Sequence, residues 1–130
     1  MEFTSQRFAD VLVAAPAGRV DHSTAGGLEQ ALLPLLAPSA DAAPAVLLDF
    51  SGVDYISSAG LRVLMIAAKT MQARKAALGV AALQPMVQAI FEATRWDQVV
   101  DVFPSVRTGL TTMSGTALAA WETAAGSATQ

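Results

Sequence analysis

The sequence predicts an α/β domain with a mixed sheet of about four to five strands and about four helices. Three observations carry this. Ala45-Val46-Leu47-Leu48 is an almost pure apolar run, the pattern of a strand covered on both faces. Beyond the turn that follows, Leu61, Leu64, Met65, Ala68 and Met71 fall at the spacing of one buried helical face. After a first hairpin, strand-like and helix-like segments keep alternating, which implies parallel pairing among the later strands. In such sheets functional sites lie beyond the carboxyl ends of the strands.

The bulk properties narrow the class. A chain of 130 residues is one domain's worth and buries a core without staples, so residues 1–124 are expected as a single domain and 125–130 as a flexible tail. Hydrophobic residues make up 53% and charged residues 15%, a globular rather than a disordered composition. No apolar run is long enough for a membrane span, and the first residues lack the basic flank and apolar block of a secretory signal. Cysteine is absent, which excludes disulfides and thiolate metal sites and fits a reducing cytoplasm. A net charge of −3 without a basic run gives no footprint for nucleic acid. The expected protein is cytoplasmic, with no membrane or nucleic-acid partner and neither cofactor nor metal.

In chain order, Phe3 to Gln6 reads as a short edge strand and Asp10 to Ala15 as a stronger one, ended by Pro16-Ala17-Gly18. Asp21 and Ser23 are both plausible caps for a helix striped by Leu28, Leu32, Leu35 and Leu36. Pro34 should kink or shorten that helix, because it removes a hydrogen bond. Pro38 to Pro44 reads as an exposed loop. The apolar strand and the serine-bearing turn follow, then a helix to about Lys75. Ala77 to Leu83 is a strand, and Gln84-Pro85 opens a helix burying Met86, Val87, Ile90 and Phe91. Asp97 to Phe103 suggests a final strand. Pro104-Ser105 starts one last helix with Val106, Leu110, Met113 and Leu118, weakened by Gly109 and Gly115. Trp121 is expected to anchor that helix, and Trp96 to lie in the core or at a contact rim.

Ser57 and Ser58 stand where the helix begins. A serine there can cap the free N–H groups of the first turn. The same place also tolerates a phosphate, since those groups and the helix dipole favour negative charge. Spacing alone leaves cap and switch both open.

The residues Gly18-Arg19-Val20-Asp21-His22-Ser23-Thr24-Ala25 and the block from Asp49 through Ser57-Ser58-Ala59-Gly60 to Leu64 closely resemble the STAS domain of bacterial anti-sigma factor antagonists, or anti-anti-sigma factors. The resemblance extends through Pro85 and Trp96-Asp97 to Phe103-Pro104-Ser105. It implies a STAS-type fold and a partner switch. The unphosphorylated antagonist binds an anti-sigma factor that is also a serine kinase; phosphorylation of a serine dissolves the complex, and a serine phosphatase resets it. The family pattern Asp-Ser-(Ser/Thr)-Gly, aligned on Gly60, puts Ser58 at the modified position and Ser57 where the aspartate stands, with Ala59 in place of the second hydroxyl. Ser57 is the rival acceptor. The implied partner-binding surface comprises Asp21, Ser23, Ser57, Ser58, Ala59, Gly60 and Arg62.

Each residue also has a plainer role. Asp21 caps the first helix as well as it faces a partner, Gly60 allows close packing, and Arg62 is either a contact or simply solvated. His22, the single histidine, has no second ligand to share a metal with. No glycine-rich phosphate loop occurs, and Ser58 has no evident general base other than His22 in another loop. Asp49 and Asp54 imitate a carboxylate pair without a supporting cluster. The expectation is a substrate of a kinase and not an enzyme. Two alternatives stand beside the switch: a non-phosphorylated STAS scaffold, such as the accessory subunit of a lipid-transport ABC system, and a nucleotide-sensing STAS module.

Overall fold

The structure, a computed structural model, describes residues 2–36 and 45–129, with side chains as far as residue 124. Six strands form one mixed sheet: β1 (Glu2–Phe8), β2 (Val11–Val20), β3 (Ala45–Asp49), β4 (Val53–Ile56), β5 (Leu78–Ala81) and β6 (Asp101–Phe103). Five helices are described: α1 (Ala25–Leu32), α2 (Ser58–Ala73), α3 (Pro85–Ala93), α4 (Val106–Met113) and α5 (Gly115–Thr129). The strands run in the order β1-β2-β3-β5-β6. β1 and β2 form an antiparallel hairpin, and the other pairings are parallel, as the alternating pattern predicts.

The uniform apolar run of β3 is explained by packing on both faces. Val46 and Leu48 point into the larger core with Leu28 and Leu32 of α1, Val63 and Leu64 of α2 and Phe91 of α3. Leu47, one residue out of phase, points the other way, into a smaller core with Leu110 of α4 and Ala117 of α5. Trp121 packs at the edge of that second core, as its anchoring role requires. Trp96 is buried in the first, its ring tilted against Phe91 at 6.3 Å between centroids.

Several expectations are corrected. Pro16 and Gly18 do not end the second strand; β2 continues to Val20. Its ladder to β3 stops at Ala14↔Leu48 and its ladder to β4 begins at Gly18↔Val53, so on that side Pro16 falls in the gap between the two, while on the other side it stands opposite Phe3 of β1. Gly18 takes φ +104 at the bulge where the second ladder starts. The turn after β3 contains a further strand, β4, which pairs with the end of β2. Met65 and Met86 are exposed rather than buried, because the packed faces centre on Val63, Ala67 and Met71 in α2 and on Val87 and Phe91 in α3.

Residues 96–98 form a short 3₁₀ turn, not strand, and β6 begins only at Asp101. The last helix is two helices, broken at the extended residue Ser114 (φ −165, ψ 116). Gly109 is set against the sheet: an added Cβ would meet Leu47 Cδ2 at 2.9 Å, so its smallness lets α4 dock closely, which offsets its low helix propensity.

Pro34 acts as expected. α1 ends at Leu32 and a 3₁₀ turn, Leu33–Leu36, takes over, with Leu36 buried and Leu35 half-buried. The loop expected at Pro38 to Pro44 lies outside the described residues. The tail expected at 125–130 lies where side chains are not described, and α5 is assigned through Thr129.

Candidate functional site

The carboxyl ends of β2 and β4 meet side by side, in register Val20↔Ile56. Both chains leave the sheet there, one into the Asp21–Thr24 turn before α1, the other into the start of α2. The Ser57 N–H donates to the Val20 carbonyl at 2.8 Å, which binds the two exits together. The parallel order of the sheet thus brings Asp21 and Ser23 to the same edge as Ser57 and Ser58.

The two serines divide their roles. Ser57 is the N-cap of α2, with extended φ −92 and ψ 175. Its side-chain oxygen accepts from the Gly60 N–H at 3.3 Å and its carbonyl from the Leu61 N–H at 2.9 Å. Ser58 is the first helical residue and is exposed; among the described residues its hydroxyl has no hydrogen-bond partner. No acidic side chain occupies the first turn of α2, so no charge from the helix itself offsets the positive end of its dipole.

Ala59 is half-buried against the larger core, and Gly60 is buried beneath the turn. A Cβ on Gly60 would lie 2.6 Å from Val20 Cγ1 and 2.7 Å from Ile56 Cγ1, both on fully packed side chains. Only glycine lets the first turn of α2 sit this close to the ends of β2 and β4. Arg62 is exposed one turn on. With Ala59 and Val63 it faces Ala25, Gly26 and Glu29 of α1 across a shallow groove of about 290 Å³.

The turn before α1 is built around Asp21. Its carboxylate accepts from the Ser23 hydroxyl (2.6 Å), the Ser23 N–H (2.9 Å), the Thr24 N–H (3.2 Å) and Arg19 Nε (3.1 Å). Neither Asp21 nor Ser23 is the N-cap of α1: that position is Thr24, which makes no side-chain capping bond, and the Asp21 carboxylate instead holds together the turn before the helix while Ser23 spends its hydroxyl on Asp21. Thr24, which directly precedes α1, donates its hydroxyl to the Arg19 carbonyl at 2.7 Å. His22 is exposed in the same turn. The Ser23 hydroxyl and N–H hold the Asp21 carboxyl well below the usual carboxylate range, aided by Arg19 and the Thr24 N–H and opposed by desolvation.

A depressed folded value means that this charge supports the turn above the ordinary carboxylate range. That support is lost only as pH falls through the lower folded value. In a carboxyl NMR titration Asp21 should remain ionised at pH 3.8, its ordinary value. A midpoint at or above that value contradicts the bonding described.

Arg19 and Tyr55 are neighbours that the sequence did not single out. Arg19 lies over the Tyr55 ring, its guanidinium carbon 4.1 Å from the centroid, while also reaching Asp21. They meet only because β4 pairs with β2, a long-range fact without a local signature. Glu29, on the far side of the groove from Arg62, was likewise not singled out. Asp49 accepts from the Ser51 N–H at 3.0 Å, and Asp54 is exposed. Among the described residues no group of three His, Asp or Glu side chains could hold a metal, and no helix is long and apolar enough to cross a membrane.

Comparison with known proteins places this geometry in a family. The profile described as "Mlab, STAS domain" matches residues 4–102. The chain belongs to the STAS domain family. BtrV of Bordetella bronchiseptica, named as a candidate anti-sigma factor antagonist, is 33% identical over 105 residues, 80% of this chain and 84% of that protein. The crystal structure of an anti-sigma factor antagonist from Mycobacterium paratuberculosis aligns with a TM-score of 0.74 at 27% identity, covering 86% of this chain and 94% of that one. A candidate anti-sigma factor antagonist from Thermotoga maritima aligns with a TM-score of 0.77, covering 85% and 93%; at 16% identity this likeness concerns the fold alone.

Proposed function

We propose that this chain is an anti-sigma factor antagonist that works as a partner switch in the cytoplasm. Unphosphorylated, it binds a serine kinase that is also the anti-sigma factor, presenting Asp21, Ser23 and the Ser57–Arg62 end of α2. Phosphorylation of Ser58 dissolves the complex, and a serine phosphatase restores it. The chain is a substrate and carries no catalytic group of its own.

The observation that carries this reading is the division between the serines. Ser57 is spent on capping, whereas Ser58 is exposed and, among the described residues, its hydroxyl is unbonded at a helix whose first turn carries no acidic side chain. A phosphate at that place is tolerated by the fold, because the N–H groups and dipole of the helix favour its charge. The same phosphate inside an interface adds bulk and nearly two negative charges. The names of BtrV and the mycobacterial structure support the antagonist role.

The test is intact-mass analysis with peptide mapping after incubation with ATP and the kinase encoded nearest this gene. One added phosphate, on Ser58, is the expected result. A phosphate on Ser57 would transfer the switch to the capping residue. A second reading, a STAS scaffold that holds its partner permanently, is favoured by the name of the matching profile, which is not that of an antagonist. A stable complex with no phosphate on either serine would select it.

A further inference from the structure

We propose that a second copy of this chain binds across the ridge formed by residues 97–102, in a two-fold arrangement that leaves the Ser58 end free. The ridge separates two grooves. On one side, a groove of about 580 Å³ runs along the later turns of α2 and is lined by Met65, Lys69, Lys75 and Val99. On the other, a groove of about 480 Å³ is lined by Glu92, Asp97, Asp101 and Val102. One flank is basic and the other acidic.

Two features mark this surface as unfinished in the single chain. The exposed large apolar side chains among the described residues are Met65, Met86, Val99 and Val102, and all but Met86 line these grooves, with Val99 half exposed at 50%. Apolar groups gathered in this way mark contact surfaces. The charges are also unused: among the described residues the ion pairs are Arg19–Asp21 and Arg107–Glu122, so Lys69, Lys75, Asp97 and Asp101 pair with nothing there.

A two-fold contact is self-complementary, each patch meeting its own counterpart reversed. With the axis near Val99, the basic flank of each copy faces the acidic flank of the other, and the apolar side chains are covered between them. A two-fold axis set across the ridge would oppose like charges, so the axis runs along the ridge. Met65, the lining residue nearest the start of α2, lies seven residues from Ser58, about 10 Å at the helical rise, so the Ser57–Ser58 turn stays open in the pair.

Sedimentation velocity of the full chain over a concentration series tests this. The expected result is a monomer–dimer equilibrium that weakens as salt is raised. Asp97→Lys with Asp101→Lys should raise the dissociation constant about tenfold or more. Adding Lys69→Glu with Lys75→Glu to that variant should restore the dimer, which misfolding would not do. A chain that stays monomeric at all concentrations, or a dimer indifferent to both reversals, overturns the proposal. A monomer that instead captures a peptide through these grooves also overturns it. None of these outcomes depends on whether Ser58 is phosphorylated.

Discussion

Ser58→Glu is expected to weaken binding of the kinase partner more than a hundredfold, a change of about 3 kcal/mol, whereas Ser58→Ala should bind as tightly as the native chain. The two substitutions separate charge from capping. Ser58 is not the cap, so neither removes the bond from the Gly60 N–H to the Ser57 side chain that starts α2. A carboxylate in the first turn is favourable to the helix by about 0.3–1 kcal/mol, so the Glu variant should fold at least as well as the native protein. Lost binding would then belong to the interface and not to unfolding. Ser57→Ala gives the contrasting pattern, because it costs the cap, about 1 kcal/mol of stability. Titration calorimetry of the variants, beside their denaturant curves, checks both halves. Equal affinities for the Ala and Glu forms would remove the charge-based switch.

Phe50→Ala is expected to cost about 3–5 kcal/mol, the typical loss for a buried aromatic cut back to alanine. Phe50 is fully buried where β3 gives way to the turn before β4. Its ring meets Phe91 edge to face, at 6.3 Å and 73°. Its backbone is bonded on both sides: the N–H donates to the Ala81 carbonyl at 2.9 Å, and its carbonyl accepts from the Val53 N–H at 2.9 Å. The truncation therefore opens a cavity beneath the segment that carries β4 and the Ser57–Ser58 turn. Against a typical domain stability of about 5–15 kcal/mol this is a large fraction. Urea unfolding should show a lower midpoint with an unchanged slope. A loss below about 1 kcal/mol would mean that the core collapses around the gap.

The parts of this fold that were legible in the sequence are those with strong local periodicity. The Ala45–Leu48 run and the later strand–helix alternation sufficed for the parallel sheet, and Pro34 marked the early end of α1. β4 was hidden because four residues are too few to show a period, and what makes Val53–Ile56 a strand is its pairing with Gly18–Val20, far away in the chain. The β1 hairpin carries β2 through Pro16 to Ala17 and the β4 ladder carries it on to Val20, where by local rules it should have ended earlier. Met65 and Met86 fit a helical stripe, but a stripe does not reveal how wide the packed face is.

At the site, the residue types were legible and their roles were not. Two serines at a helix start leave the cap unassigned until the backbone shows Ser57 extended and Ser58 helical. Asp21 and Ser23 both looked like caps of α1, but the cap position falls on Thr24 and the two side chains bond to each other in the turn before it. Gly60 was read for close packing, and the positions of Val20 and Ile56 supply the reason. Arg19 over Tyr55 required the β2–β4 register and had no signature in either segment.

The most direct measurement is the affinity of the kinase partner for the native chain before and after stoichiometric phosphorylation of Ser58, with site occupancy verified by mass. The account predicts tight binding of the unmodified chain and a loss of a hundredfold or more on modification, with the circular dichroism of the antagonist unchanged. Undiminished binding of the Ser58-phosphorylated chain would contradict it.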